Sequence, residues 1–139
     1  MTQKIKFFHT ADIHFGVENY GRIDPATGIH SRLTDFERSL AACIDQAIAQ
    51  DVDLFVFSGD AYKTAYPTPT QQKLLLNQWF RLQEARIPVV IVVGNHDHPL
   101  SFGRAHALDV FGNIRHSGFY VFSKPQAMTI ETKNWCHVK

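Results

Sequence analysis

Short apolar runs alternate along the chain with longer segments whose apolar residues recur at helical spacing. Two runs, DLFVFS at 53–58 and PVVIVV at 88–93, are apolar almost throughout. Such runs are typical of strands in a parallel sheet that is covered on both faces. A shorter run at 4–9 predicts an earlier strand, and further short strands are predicted at 119–122, 128–132 and 135–138.

The first helix is expected to begin at Thr34. Thr34 and Glu37 fit a capping box, in which each side chain accepts a hydrogen bond from a free backbone N–H of the first turn. The apolar residues that follow have helical spacing: Phe36, Leu40, Cys43, Ala47 and Ile48. The segment before this helix, 10–31, is rich in glycine and reads as a long loop, which in a compact domain is usually functional or mobile.

A second helix is predicted to follow Thr68. Thr68 would be its cap, Pro69 would take the first helical position, and Gln71 would reach back to the cap. Leu75, Trp79 and Leu82 give this helix one apolar face, and a shorter helix is expected near 103–111.

The resulting order of elements predicts an α/β layered domain with a central parallel or mixed sheet. The chain stops inside a predicted strand, so we expect residues 1–139 to be the N-terminal part of one longer domain.

Composition narrows the class of protein without identifying a partner. Apolar residues make up 45% of the chain, and the formal net charge is +1, so no basic block predicts nucleic-acid binding from charge alone. Cys43 and Cys136 form no CxxC pattern, and Cys43 is expected to be a small core residue. No apolar stretch approaches the ~20 residues of a membrane span. These features predict a soluble protein of the reducing cytoplasm.

Three polar motifs follow the first three predicted strands. They are Asp12-Ile13-His14, Ser58-Gly59-Asp60 and Gly94-Asn95-His96-Asp97. In open α/β sheets the carboxyl ends of the strands meet at the edge where ligands bind. The three motifs should therefore lie close together.

The residue types in these motifs suit metal chemistry. From an extended segment Asp12 and His14 would point the same way, and a carboxylate with an imidazole suits Mn, Fe or Zn. Gly59 would permit the sharp turn that places Asp60 at the sheet edge. Asn95 offers an amide oxygen, and His96 could act as a general acid. Alone, the first motif could be a solvated aspartate and a structural histidine, and the second and third could be turns, but the combination of the three favours a shared metal site.

The three motifs, each after its own strand, resemble those of the calcineurin-like metallophosphoesterases. The segments FFHTADIHFG, DLFVFSGDAYKTAYPTPTQQ and IPVVIVVGNHDHP are most similar to the SbcD-type exonuclease subunits of double-strand-break repair. This resemblance implies an αββα sandwich and a two-metal phosphodiesterase that acts on DNA ends. It also implies two divalent ions, with Mn²⁺ preferred and Mg²⁺ or others possible, an SbcC-like ATPase partner and a possible homodimer.

The resemblance also implies roles for individual residues. Asp12 and His14 would bind the first metal, Asp60 would bridge both metals, and Asn95 would bind the second. His96 and Asp97 would form the catalytic pair: His96 would protonate the leaving oxygen or stabilise the transition state, and Asp97 would hold the loop.

The sequence departs from the family pattern at two points. Lys63 occupies a position where relatives often carry Asp or His, and with Arg104 it is a candidate contact for substrate phosphate. The family supplies further histidines from later loops, in Gly-x-His and Gly-His-x-His patterns, and the sequence after Asp97 contains neither pattern. The chain is therefore expected to hold only part of the two-metal site, without the later ligand loops and the cap domain.

Two alternatives remain open at this stage. The chain could belong to a different calcineurin-like phosphoesterase that hydrolyses small phosphoesters. It could also be a non-catalytic module that binds one metal weakly, since the later histidines are absent. Substrate choice separates the first alternative from the nuclease hypothesis, and the number of bound metal ions separates the second.

Overall fold

The computed structural model describes residues 4–98, 105–114, 118–133 and 137–138, the last pair by its backbone alone. Its elements in chain order are β1 (Phe7–Thr10), α1 (Ser31–Ala49), β2 (Leu54–Phe57), α2 (Pro69–Glu84), β3 (Val89–Val92), α3 (Asp109–Gly112), β4 (Phe119–Phe122), β5 (Ile130–Glu131) and β6 (His137–Val138). In these residues no helix is both long and apolar enough to cross a membrane.

Strands β1 to β4 form one parallel sheet in chain order, which confirms the predicted α/β class. The strands are in register at their carboxyl ends: Thr10 pairs with Phe57, Phe57 with Ile91, and Ile91 with Val121. All four chains therefore leave the sheet at the same edge. Strands β5 and β6 form a separate antiparallel pair.

Helices α1 and α2 pack against one face of the sheet and form the core with it. Phe57, Trp79 and Phe111 lie in a row, with ring centroids 5.2 Å and 4.9 Å apart. Each of the three side chains is fully buried. Full burial of an aromatic side chain contributes roughly 2–3 kcal/mol to stability, so this row anchors α2 and α3 to the sheet.

The opposite face of the sheet is less covered. Its residues include Phe7, which is 60% exposed, and Val92, which is 42% exposed. Of the layers in the predicted αββα sandwich, the described residues therefore contain one helical layer and one parallel sheet.

The predicted start of the first helix is wrong. Helix α1 begins at Ser31, three residues before Thr34, and its N-cap is His30, whose ring Nδ1 accepts a hydrogen bond from the backbone N–H of Arg32 at 3.3 Å. The cause lies in the preceding loop, where His30 pairs with Ile23 in an antiparallel bridge and is held in an extended conformation. Thr34 is therefore already inside the first turn, where it cannot cap.

The other predictions hold with small shifts. The capping box of α2 is present: Thr68 Oγ1 accepts from the Gln71 backbone N–H at 3.3 Å, and Gln71 Oε1 accepts from the Thr68 N–H at 3.0 Å. Strand β1 lies slightly later than expected. Helix α3 covers only the end of the predicted 103–111 segment, and residues 103 and 104 lie outside the described residues, as do Trp135 and Cys136 of the last predicted strand.

Candidate metal centre

The three motifs meet at the carboxyl edge of the sheet, as predicted. After β1 and β2 the chains stay paired beyond the strands: the backbone N–H of Asp12 donates to the Gly59 carbonyl, and that of His14 donates to the Asp60 carbonyl, both at 3.0 Å. A parallel bridge between Phe15 and Tyr62 closes this extension. The first two motifs are therefore fixed relative to each other by backbone hydrogen bonds.

The backbone of the first motif differs from the prediction. Asp12 and His14 do not lie in an extended segment, because their φ angles are 55° and 48°, in the left-handed region. Asp60 also has a positive φ of 58°. Residues other than glycine rarely adopt this backbone conformation, which costs of order 1–3 kcal/mol of strain per residue and persists only where the surrounding structure holds it. Here three chemically important residues are held this way by the hydrogen bonds between the motifs.

Close packing of the second and third motifs requires two glycines. A Cβ on Gly94 would lie 2.2 Å from both the backbone nitrogen and the Oδ1 of Asp60, and a Cβ on Gly59 would lie 2.8 Å from the Gly94 Cα. Glycine is the one residue that permits such an approach. The need for glycine at position 94 was not predicted from the sequence, although the register of β2 and β3 brings Gly94 opposite Asp60.

Asp97 joins the two motifs from the protein interior. One of its carboxylate oxygens accepts from the backbone N–H groups of Asp60 and Gly94, each at 2.9 Å. The other accepts from Ala61 at 3.0 Å and Tyr62 at 3.3 Å. The side chain is fully buried, so in this geometry Asp97 positions the loop that carries Asp60 and does not face a substrate.

Three side chains converge on the solvent side of this framework. His14, Asp60 and His96 each present one donor atom, and these atoms all lie within 4.8 Å of one another. His14 Nε2 lies 3.8 Å from Asp60 Oδ2 and 3.6 Å from Asp12 Oδ1. Asp12 thus extends the group to two carboxylates and two imidazoles.

His96 is held beside His14 by its backbone as well as its ring. The His96 backbone N–H donates to Asp60 Oδ1 at 3.0 Å, and the two imidazole rings meet edge to face with centroids 5.1 Å apart. Both His96 and the neighbouring Asn95 are exposed. The second Asp60 oxygen faces His14, so the two oxygens of this carboxylate are directed to different motifs.

This donor set fits divalent metal ions. Carboxylate oxygens combined with neutral imidazoles suit borderline first-row cations, and the Asp60 side chain is only 13% exposed while Asp12 is 72% exposed. An ion held by a partly buried carboxylate and by more exposed donors would keep coordination positions open toward solvent.

Burial affects the ionisation of one group beneath the site. Tyr62 is 1% exposed, and this burial, with a smaller contribution from the Asp97 charge, raises the pKa of its hydroxyl well above the ordinary value. Tyr62 therefore stays neutral at any ordinary pH and adds no charge to the metal centre.

The remaining predicted positions lie at the periphery or outside the described residues. Lys63 follows the second motif and is exposed; Arg104 lies outside the described residues. Two further histidines have other partners: the His9 ring lies 2.7 Å from Ser58 Oγ, and His30 caps α1.

The profile of the calcineurin-like phosphoesterase family matches residues 5–136. The chain belongs to that family. Calcineurin-like phosphoesterases use divalent metals, and His14, Asp60 and His96 form a group of side chains that could hold such an ion.

Several curated proteins are similar to this member of the family. The DNA double-strand break repair protein Mre11 of Methanococcus maripaludis is 27% identical over 86% of this chain, and that of Methanosarcina mazei is 32% identical over 85%. The uncharacterized metallophosphoesterase YhaO of Bacillus subtilis is 32% identical over 70% of this chain. The chain spans at most 30% of the length of these relatives.

Proposed function

We propose that this chain is the N-terminal part of a two-metal phosphodiesterase domain that hydrolyses DNA at its ends. The observation that carries the proposal is the convergence of Asp12, His14, Asp60 and His96 at one edge of the sheet. The similarity to Mre11 proteins over most of the chain favours DNA among phosphodiester substrates. Two divalent cations, when bound, supply charge neutralisation at the phosphate and activation of the attacking water.

The proposed division of the ligands follows the family resemblance. Asp12 and His14 would hold one ion, Asn95 would hold the other, and Asp60 would bridge them; its one oxygen lies toward His14 and its other oxygen accepts from the His96 backbone. The geometry of Asp60 supports a bridging role because a carboxylate can offer one oxygen to each of two ions. Mn²⁺ is the proposed native metal.

His96 is proposed to act on the leaving group. Its ring is exposed at the mouth of the site, and its backbone N–H is tied to Asp60. An imidazole in this position can donate a proton to the departing 3′ oxygen or stabilise charge on the phosphate in the transition state. Lys63 and Arg104 are proposed contacts for DNA phosphates, and Asp97 is the positioning residue that keeps Asp60 and His96 in place.

The proposal also implies partners, whose binding surfaces the remainder of a longer chain would complete. DNA, an SbcC-like ATPase subunit and a second copy of the protein are the proposed partners, and the cytoplasm is the proposed compartment.

The test is Mn²⁺-dependent hydrolysis of linear DNA beside a simple phosphodiester such as bis-p-nitrophenyl phosphate. Asp60→Asn is the inactive variant, and Asp35→Asn, an exposed aspartate on α1, is its matched control. Cleavage of DNA that is lost in Asp60→Asn and kept in Asp35→Asn supports the proposal. Metal ions bound per chain are counted in parallel by equilibrium dialysis.

Two other outcomes contradict parts of the proposal. Hydrolysis of the small diester alone removes DNA as the substrate and leaves a phosphoesterase of other specificity. No hydrolysis of either substrate, with at most one Mn²⁺ bound per chain, favours a non-catalytic module and overturns the assignment of activity to this chain.

A further inference from the structure

A second group of metal-binding side chains lies outside the site described above. His98 directly follows Asp97, and His106 precedes the short helix α3. Their rings meet edge to face, with centroids 5.6 Å apart and planes at 84°. Neither residue contributes to the cluster formed by His14, Asp60 and His96.

Asp109 fixes the orientation of the His106 ring. One Asp109 oxygen lies 3.0 Å from His106 Nε2, and the other accepts from the backbone N–H of His106 at 3.0 Å. A carboxylate beside Nε2 favours the neutral tautomer that carries its proton on Nε2. The lone pair of the imidazole is then on Nδ1. The same carboxylate–histidine pairing orients imidazoles that bind metals.

His106 Nδ1 has no hydrogen-bond partner among the described residues, although it is buried. The His106 side chain is only 8% exposed. An unpaired buried acceptor costs roughly 1–3 kcal/mol, so a ligand that met this lone pair would recover that free energy. His98, by contrast, is exposed and opens the pair to solvent.

The separation of the two rings matches that of imidazoles that share one ion. With a metal–nitrogen distance near 2.0–2.1 Å, two imidazoles in tetrahedral coordination have centroids about 5 Å apart. The observed 5.6 Å requires only a small adjustment of the exposed His98. A close edge-to-face pair also arises from packing alone, but packing gives no reason for an oriented lone pair that lacks a partner.

We propose that His98 and His106 form a second cation site, which takes one borderline divalent transition ion such as Zn²⁺ or Ni²⁺. Neutral imidazoles select such ions over Mg²⁺ or Ca²⁺. Water completes the coordination on the exposed side. An ion here connects the residue after Asp97 to the segment before α3, so its occupancy restrains the loop that carries His96.

The site can be tested with Ni²⁺ alone in the full chain. A background of His14→Ala with Asp60→Asn weakens the first site, and NMR of the imidazole nitrogens then identifies which histidines Ni²⁺ broadens. Broadening confined to His98 and His106 is expected at substoichiometric Ni²⁺. Equilibrium dialysis gives the affinity in the same background.

Single substitutions then separate the proposal from nonspecific binding. His98→Ala is expected to weaken Ni²⁺ binding at least about tenfold, and Asp109→Asn also about tenfold because the orienting partner is lost. His9→Ala is the matched control, because His9 is exposed and pairs with Ser58, and it should leave the affinity unchanged. Since His98 is exposed, its loss should not unfold the chain, and circular dichroism verifies this.

Unchanged Ni²⁺ affinity in both His98→Ala and Asp109→Asn would overturn the proposal, as would broadening that spares His106. The result does not depend on the proposed nuclease activity, because hydrolysis is not measured and the site of His14 and Asp60 is weakened throughout.

Discussion

The Asp97 carboxylate accepts a hydrogen bond from the backbone N–H of Asp60 at 2.9 Å, although the two residues lie on different loops. Three further backbone N–H groups donate to the same carboxylate. A buried negative charge is tolerable only when it is compensated in this way. Asp60, the proposed bridging ligand, is therefore held from the protein interior by Asp97, which does not itself reach the metal site.

Asp97→Asn should destabilise the chain strongly. The amide nitrogen would replace one acceptor oxygen and face two N–H donors, and leaving these groups unpaired costs about 3 kcal/mol. Urea unfolding followed by circular dichroism measures the loss. Asp35→Asn, at a carboxylate that is 55% exposed, should change the free energy of unfolding by less than about 0.5 kcal/mol. Equal effects of the two substitutions would contradict the role given to Asp97.

Gly94→Ala should disrupt both stability and metal binding. The added Cβ would lie 2.2 Å from the Asp60 backbone nitrogen and Oδ1, so Asp60 must move, at a cost of about 3 kcal/mol. Mn²⁺ affinity should fall with it, as measured by equilibrium dialysis.

Gly28→Ala is the matched control for this clash. Gly28 has a φ of +69°, but a Cβ there meets nothing within 4 Å. Its substitution should cost only the backbone strain of about 1–2 kcal/mol and leave Mn²⁺ affinity unchanged. If Gly28→Ala weakens Mn²⁺ binding as much as Gly94→Ala, close packing against Asp60 is not the cause.

The sequence predicted the sheet and the location of the site because both depend on strong, local signals. The apolar runs around Phe57 and Ile91 defined buried strands, and parallel pairing then required their polar successors to meet at one edge. The backbone of Asp12 and His14 could not be predicted in this way. Their left-handed conformation is imposed by hydrogen bonds to Gly59 and Asp60, which are distant in sequence.

The starts of α1 and α2 also show that local sequence signals fail where a distant contact sets the backbone. At Thr68 the local capping signal is correct because the preceding chain leaves the cap residue free to adopt an extended conformation. At Thr34 an equally good local pattern fails, because the bridge between Ile23 and His30 sets the start of α1 earlier. A tertiary contact thus overrides a local preference.

Paired substitutions of these two threonines test this difference. Thr68→Ala removes a cap and should lower the free energy of unfolding by about 1 kcal/mol. Thr34→Ala removes no cap and places a better helix former inside a turn, so it should change stability by less than about 0.5 kcal/mol. Urea unfolding of both variants gives the comparison. A larger loss for Thr34→Ala would mean that the box predicted from the sequence does form.

Tyr62→Phe should make the chain more resistant to alkali. Burial raises the pKa of the folded-state hydroxyl above its unfolded value of about 10. Below that unfolded pKa both states keep the proton, and the contribution to stability is fully present. As pH rises further, the unfolded state loses its proton first, so stability declines toward the folded-state pKa.

Urea unfolding between about pH 9 and pH 11.5 should show a shallower decline for Tyr62→Phe than for the unsubstituted chain. Tyr20→Phe, at a fully exposed tyrosine, should keep the original slope. Identical slopes for all three chains would mean that the buried hydroxyl does not govern the alkaline limit.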